Sequence, residues 1–95
     1  MTDADNAGLA RWQVYMVRCA DDTLYTGVAC DVDKRVQEHN ESPRGAKYTK
    51  ARRPVILVYA EACDDRSQAL RREHQIKQLT RRDKLNLVAR YKVSQ

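Results

Sequence analysis

The chain has 95 residues, of which 42% are hydrophobic and 33% charged, and this composition excludes a largely disordered chain. Its formal net charge of +5 and its pI of about 9.3 favour an anionic partner such as nucleic acid, although a basic surface also serves solubility. No apolar run approaches the roughly 20 residues that span a bilayer, so we expect no membrane association.

The beginning of the chain lacks the pattern of a signal peptide. Its first ten residues are polar and acidic, so we expect residues 1–10 to form a flexible tail and residues 11–95 to form a single domain. The three cysteines are widely spaced and complete no zinc-finger spacing with either histidine. Reduced thiols and a cytoplasmic location are therefore predicted.

The chain then predicts a β-hairpin. Residues 12–18 are rich in aromatic and β-branched side chains and predict a strand, and residues 20–22 offer turn chemistry. A second strand is expected from Thr23 to Val28. Within it, Gly27 weakens strand pairing but permits the close approach of another group.

A helix follows the hairpin. Asp31 has the chemistry of an N-cap, and Asp33 adds favourable negative charge to the first turn. The helix should extend to about Asn40, with Val32 and Val36 facing inward.

The second half of the chain adds one strand and two helices. A loop is expected over residues 42–54, and the apolar run of residues 55–60 is typical of a buried central strand. A long helix should cover residues 66–79 after a cap at one of the two preceding aspartates, and a third helix should cover residues 80–91. The order β-β-α-β-α-α predicts an α+β fold with helices against a short sheet.

Glu73 interrupts an apolar stripe on the second predicted helix. Helical spacing places Ala69, Leu70 and Ile76 on the inward face, with Lys77 at its edge. A carboxylate there is costly unless a cation or several donors meet it. Glu73 is therefore either a ligand for a divalent metal or one half of an ion pair, with Lys77 or with an arginine elsewhere.

Two polar residues of the first helix also have two interpretations. Arg35 and His39 are four residues apart and share one face, where they could grip a phosphate and help to move a proton. The alternative is a solvated polar face, since Lys34 and Glu38 lie close by.

The tyrosines and a basic segment complete the candidate site residues. Tyr15 and Tyr25 on the paired strands either point into a cleft or fill the core. The basic segment, defined as residues 44–53, either binds nucleic acid by phosphate contact and base stacking or is a solvated loop. Its candidate contacts are Arg44, Lys47, Tyr48, Lys50, Arg52 and Arg53.

These residues follow the order of a known family. Gln13-Val14-Tyr15 stands where the GIY-YIG nuclease superfamily has its first motif, and Tyr25-Thr26-Gly27 stands where it has its second. Arg35 and His39 then match the functional positions of the following helix, and Glu73 matches the acidic metal ligand. From about residue 12 to residue 89, the chain resembles this superfamily, especially its short stand-alone bacterial members.

The resemblance implies a short, mainly antiparallel three-stranded sheet flanked by helices. It also implies phosphodiester hydrolysis with one divalent metal, Mg²⁺ or Mn²⁺, held by Glu73. Arg35 would neutralise charge on the phosphoryl oxygens, and Tyr15 would draw a proton from the attacking water, assisted by Tyr25 or His39.

Some features depart from the superfamily pattern. Gln13 replaces the first glycine and Thr26 the central isoleucine, and Asn86 lies near the place of an asparagine found in larger relatives. Those relatives also carry a DNA-targeting domain, so substrate selection here would come from this domain or from a partner protein. DNA is the expected substrate ahead of RNA, and the alternative function is nucleic-acid binding without catalysis.

Overall fold

The computed structural model describes residues 11–93. The predicted tail, residues 1–10, lies outside the described residues. The elements in chain order are β1 (Gln13–Arg18), β2 (Leu24–Ala29), α1 (Val32–Glu41), α2 (Lys47–Lys50), β3 (Ile56–Ala62), α3 (Arg66–Lys77) and α4 (Arg81–Val93). This result confirms the predicted α+β class and the predicted order of the main strands and helices along the chain.

The three strands form one antiparallel sheet in the order β2-β1-β3. The prediction that the third strand is central was wrong, because β1 lies between the other two. Apolar residues within β3 are buried by the helices that pack against the sheet. Ile56, at the exposed end of the strand, retains 57% of its accessible surface. An edge strand buried on its faces has the same sequence pattern as a central strand.

Two clusters of buried side chains form the core, one on each face of the sheet. Val14 and Met16 of β1 pack with Ala69 and Ile76 of α3 and with part of α4. The alternate β1 residues, Tyr15 and Val17, pack on the other face with side chains that include Val32 of α1. This alternation follows from the two-residue period of a strand.

The helix starts largely follow the predicted caps. The Asp31 side chain accepts a hydrogen bond from the Lys34 amide at the start of α1, and Asp65 does the same for the Gln68 amide in α3. Thr80 accepts from the Asp83 amide before α4.

One side chain of the predicted α3 face does not point inward. Ala69 and Ile76, seven residues apart, are fully buried, whereas Leu70 is 36% exposed. Leu70 lies one residue, or about 100°, around the helix from Ala69 and therefore misses a narrow contact face. The expectation of a buried Leu70 was wrong.

The segment expected to be a loop contains the single-turn helix α2. The Lys50 amide donates to the Ala46 carbonyl, and the Thr49 hydroxyl donates to the same carbonyl. Among the described residues, no side chain caps this helix, so tertiary contacts rather than local sequence favour the turn. Thr49 is fully buried, which shows that α2 is docked against the rest of the fold.

The structure also bears on the thiols and on the membrane. Cys19, Cys30 and Cys63 are free thiols, as predicted. Within residues 11–93, no helix is both long and apolar enough to cross a bilayer.

Candidate active site

A tyrosine of the central strand lies across the glycine of an edge strand. Tyr15 of β1 is directly opposite Gly27 of β2. A Cβ atom at Gly27 would be 2.6 Å from the Tyr15 hydroxyl oxygen and 2.8 Å from its Cζ. The missing side chain is therefore what allows the phenol to lie over β2, as expected for a glycine that permits close approach.

The same phenol forms a buried hydrogen bond to α1. The Tyr15 hydroxyl oxygen is 2.6 Å from Nε2 of His39, and the two side chains are 1% and 0% exposed. The other ring nitrogen of His39, Nδ1, is 3.0 Å from the Thr49 hydroxyl oxygen and 3.2 Å from the Ala46 amide nitrogen. The solvated-face interpretation of His39 was wrong, because its ring is enclosed.

Burial sets the protonation states of this pair. It raises the pKa of Tyr15, and the neighbouring Tyr25 and Glu73 raise it further, while the charge of Arg35 lowers it. Burial also lowers the pKa of His39 to about 4, with the charge of Arg35 acting in the same direction. Both side chains are therefore neutral near pH 7.

A series of rings connects this pair to the basic segment. The Tyr25 ring meets the His39 ring edge-on at 5.4 Å between centroids, and it stacks on the Tyr48 ring at 5.9 Å. The Arg52 guanidinium covers Tyr48 at 3.8 Å from its centroid. Arg52 itself donates to Asp21 and to the Tyr48 carbonyl, so it is held over the ring.

Arg35 lies beside the tyrosine–histidine pair. Its Nη1 donates to the Glu38 carboxylate and to the Arg44 carbonyl, each at 2.9 Å. The side chain is half-buried, and its positive charge acts on both Tyr15 and His39. Arg35 is thus oriented by protein contacts at the centre of the candidate site.

Glu73 reaches the same region from the helix on the opposite face of the sheet. Its side chain is 19% exposed, and its Oε2 is 3.2 Å from the Lys77 ammonium. Its negative charge also raises the pKa of Tyr15. The ion pair with Lys77 is present, whereas the role of Glu73 as a metal ligand stays a prediction, which its charge effect on Tyr15 supports.

A one-carboxylate metal site is chemically compatible with Glu73. In the described part of the chain, no three side chains of the histidine, cysteine, aspartate and glutamate types form a metal-binding group. Mg²⁺ does not require one, since it usually keeps several waters and binds one or two carboxylates together with substrate phosphates. A half-buried carboxylate whose charge acts on the Tyr15 phenol is compatible with that requirement.

The members of the basic segment are placed differently from one another. Arg44, Lys47 and Lys50 are exposed, whereas Arg52 and Arg53 are half-buried. Arg53 donates to the carbonyls of α1 and its following turn, including that of Ser42 at 2.6 Å. The exposed side chains are free to contact an anion, while Arg53 braces the end of α1.

The sequence did not identify several residues that shape the site. Thr49 and the Ala46 amide contact His39, and a Cβ at Gly45 would be 2.8 Å from the Glu38 carbonyl oxygen. A glycine just before the four-residue α2 was the one available signal of such a close approach. Asn86 is exposed on α4.

Comparison with known proteins agrees with this geometry. The family model described as the GIY-YIG catalytic domain matches residues 11–86. The UPF0213 protein DP2720 of Desulfotalea psychrophila is 56% identical over 77 residues, which cover 81% of this chain and 70% of that protein. A UPF0213 protein of Staphylococcus aureus strain Mu3 is also 56% identical, over 79% of this chain and 90% of its own length.

A solved structure gives the same assignment. The solution NMR structure of the UPF0213 protein BH0048 from Bacillus halodurans superposes with a TM-score of 0.53 at 42% sequence identity, and the match covers 83% of each chain. The motif resemblance, the family model and these relatives all agree. The chain belongs to the GIY-YIG family of nuclease domains.

Proposed function

We propose that this protein is an endonuclease that hydrolyses phosphodiester bonds in nucleic acid, DNA ahead of RNA, with one Mg²⁺ or Mn²⁺ ion. The observation that carries the proposal is the buried Tyr15–His39 pair, in which the opposite charges of Arg35 and Glu73 both act on the Tyr15 phenol. A phenol placed among a cation, an acid and a histidine suits proton transfer better than core packing.

Glu73 is the proposed metal ligand. A bound divalent ion supplies Lewis-acid polarisation of the scissile phosphate and lowers the pKa of groups beside it. Binding of the ion requires the Glu73 carboxylate to exchange its contact with Lys77, which is 53% exposed and can move into solvent. Lys77 therefore neutralises the acid in the absence of metal without blocking it.

Arg35 is the proposed phosphate ligand. Both of its hydrogen bonds to Glu38 and the Arg44 carbonyl use Nη1, and the guanidinium also interacts with the Tyr15 side chain, so a phosphoryl oxygen bound by Arg35 would lie beside that phenol. Those two bonds fix the guanidinium before substrate arrives. A preoriented cation of this kind stabilises charge that develops on the phosphoryl oxygens.

Tyr15 is the proposed acceptor of a proton from the attacking water. In the free protein, burial raises its pKa, so the phenol keeps its own proton until cations in the loaded site favour the phenolate. Tyr25 and His39 assist by holding the ring and contacting the hydroxyl. The rate of cleavage should therefore depend more steeply on the metal concentration than the affinity for substrate does.

The basic segment is proposed to hold the nucleic-acid backbone beside this site. Arg44, Lys47 and Lys50 are exposed, and Tyr48 connects them to Tyr25 through a stacked pair. The Arg52 guanidinium covers the Tyr48 ring. The half-buried Arg53 adds positive charge to the same segment.

Cleavage assays test the proposal directly. Branched, flapped, single-stranded and duplex DNA, with matched RNAs, are incubated with the protein and Mg²⁺, Mn²⁺ or a chelator. We expect metal-dependent cleavage that falls by about 100-fold or more in Glu73→Gln, because the ligand is lost. Glu41→Gln, at an exposed position at the end of α1, is the matched control and should cleave like the parent protein. Cleavage that is unchanged in Glu73→Gln would contradict the assignment.

Binding without cleavage is the second candidate function. The Glu73–Lys77 ion pair favours it, because a carboxylate already neutralised by lysine needs no metal. This function predicts affinity that falls steeply with salt, and no cut product on any substrate. Replacement of Lys47 and Lys50 by glutamine should then reduce the salt dependence, and an unchanged slope would exclude α2 as a phosphate contact.

A further inference from the structure

The ring of His39 is contacted at both of its nitrogens. Nε2 lies 2.6 Å from the Tyr15 hydroxyl oxygen. Nδ1 lies 3.2 Å from the Ala46 amide nitrogen, in a geometry in which the amide hydrogen points at it, and 3.0 Å from the Thr49 hydroxyl oxygen. A neutral imidazole carries one hydrogen, so these partners determine which nitrogen bears it.

One partner of Nδ1 is an obligatory donor. A backbone amide can only donate, so the Ala46 N–H requires a lone pair on Nδ1. The Thr49 hydroxyl can donate its hydrogen either to Nδ1 or to the Ala46 carbonyl, 2.9 Å away. A hydrogen on Nδ1 would face the Ala46 amide hydrogen, an arrangement that is unfavourable in an enclosed site.

We propose that α2 and its preceding residue fix His39 as the tautomer protonated on Nε2, so that His39 donates a hydrogen bond to Tyr15 and does not accept its proton. His39 is in this account a positioning residue, since it acts on the reaction through Tyr15. Ala46 and Thr49 contact His39 and act on Tyr15 through it. The catalytic consequence rests on the proposed nuclease function, whereas the tautomer itself does not.

The direction of this hydrogen bond determines where the Tyr15 proton goes. With Nε2–H directed at the phenolic oxygen, the hydroxyl hydrogen of Tyr15 must point away from His39. The proton then leaves by a route other than His39, and the phenolate that remains keeps an N–H donor. The lowered pKa of His39 agrees, because such an imidazole is a poor acceptor for a phenol proton. His39 stays neutral throughout.

Nitrogen NMR measures the tautomer without any substrate. In a long-range ¹H–¹⁵N correlation spectrum near pH 7, protonated and unprotonated ring nitrogens have well-separated shifts, and Nε2 couples to both ring C–H hydrogens. His74→Gln assigns the signals, because the chain has two histidines. We expect the protonated shift on Nε2 of His39. A protonated Nδ1 would overturn the proposal.

Thr49 provides a second test of the same spectrum. In Thr49→Val the side chain keeps its shape but loses the hydroxyl, while the Ala46 amide still donates to Nδ1. The His39 tautomer should therefore be unchanged. If Nδ1–H instead donated to Thr49 in the parent protein, the variant would lose that acceptor, and a shift of the hydrogen between ring nitrogens would overturn the proposal.

Variants of His39 distinguish a role as hydrogen-bond donor to Tyr15 from a role as acceptor of its proton. A glutamine amide can donate to Tyr15 but cannot accept its proton at neutral pH, whereas leucine can do neither. We expect His39→Gln to retain cleavage within about 10-fold of the parent and His39→Leu to lose about 100-fold or more. Equal losses in the two folded variants would overturn the donor role. A parent protein that cuts no substrate would instead overturn the proposed function, and the NMR spectrum would still decide the tautomer.

Discussion

Acid should destabilise this fold through His39 before it protonates the carboxylates. The imidazole is fully buried, and its pKa falls from an ordinary value of 6.5 to about 4. Burial is the main cause. Among the charged groups, Arg35 and Arg53 lower the pKa, while Glu38 raises it. Between these two pKa values, His39 binds a proton in the unfolded chain and stays neutral in the folded chain.

The size of the effect follows from those two pKa values. A group whose pKa is depressed on folding contributes stability that is fully present above its unfolded pKa and is lost as the pH falls toward the folded pKa. The pKa of His39 is 6.5 in the unfolded chain and about 4 in the folded chain. This difference lowers the free energy of unfolding by about 2 kcal/mol between about pH 7.5 and pH 5. At about pH 4 the loss reaches about 3 kcal/mol.

Urea unfolding at a series of pH values measures this loss. His39→Gln is the reference, because other titrating groups affect both proteins alike and cancel in the difference. The free energy of unfolding of the parent minus that of the variant should fall by about 2 kcal/mol between about pH 7.5 and pH 5. A difference that stays constant over this range would refute the burial argument for His39.

Two further variants test close contacts around the site. Gly27→Ala places a methyl group 2.6 Å from the Tyr15 hydroxyl oxygen, so we expect loss of cleavage together with a fall of about 1–3 kcal/mol in the free energy of unfolding. Normal cleavage in this variant would show that the phenol need not lie over β2. Asn40→Asp replaces the amide that donates to the Val55 carbonyl at 3.0 Å and should cost about 1–3 kcal/mol by urea unfolding. Asn86→Asp, at an exposed position, is its control, and equal stability losses in the two variants would contradict a stabilising role for the Asn40–Val55 hydrogen bond.

Local chemistry made the helices predictable. Asp31 and Asp65 are N-caps because their side chains accept from amides three residues ahead, a pattern that needs no distant contact. The hairpin was also predictable from local sequence, because its strand composition and the turn residues 20–22 are contiguous in the chain. The position of β3 at the sheet edge was not, since strand order depends on contacts between distant segments that an apolar run does not encode.

The candidate site was predictable only in part. Tyr15, His39 and Glu73 were proposed from motif spacing, but their burial depends on how α1 and α3 pack on opposite faces of the sheet. Thr49 was missed because its role is a contact with His39, ten residues away, that forms only when α2 folds back on α1. A lysine-rich segment with a threonine carries no local signal of such a contact.

Glu73 from α3 and Tyr15 from β1 are proposed to share one metal-dependent site. A crystal soaked in Mn²⁺ is the decisive test, because anomalous scattering locates the ion. We expect an anomalous peak beside the Glu73 carboxylate, on the side that faces Tyr15 and Arg35, and no peak there in Glu73→Gln. A peak elsewhere, or no peak at Mn²⁺ concentrations that support cleavage, would contradict it.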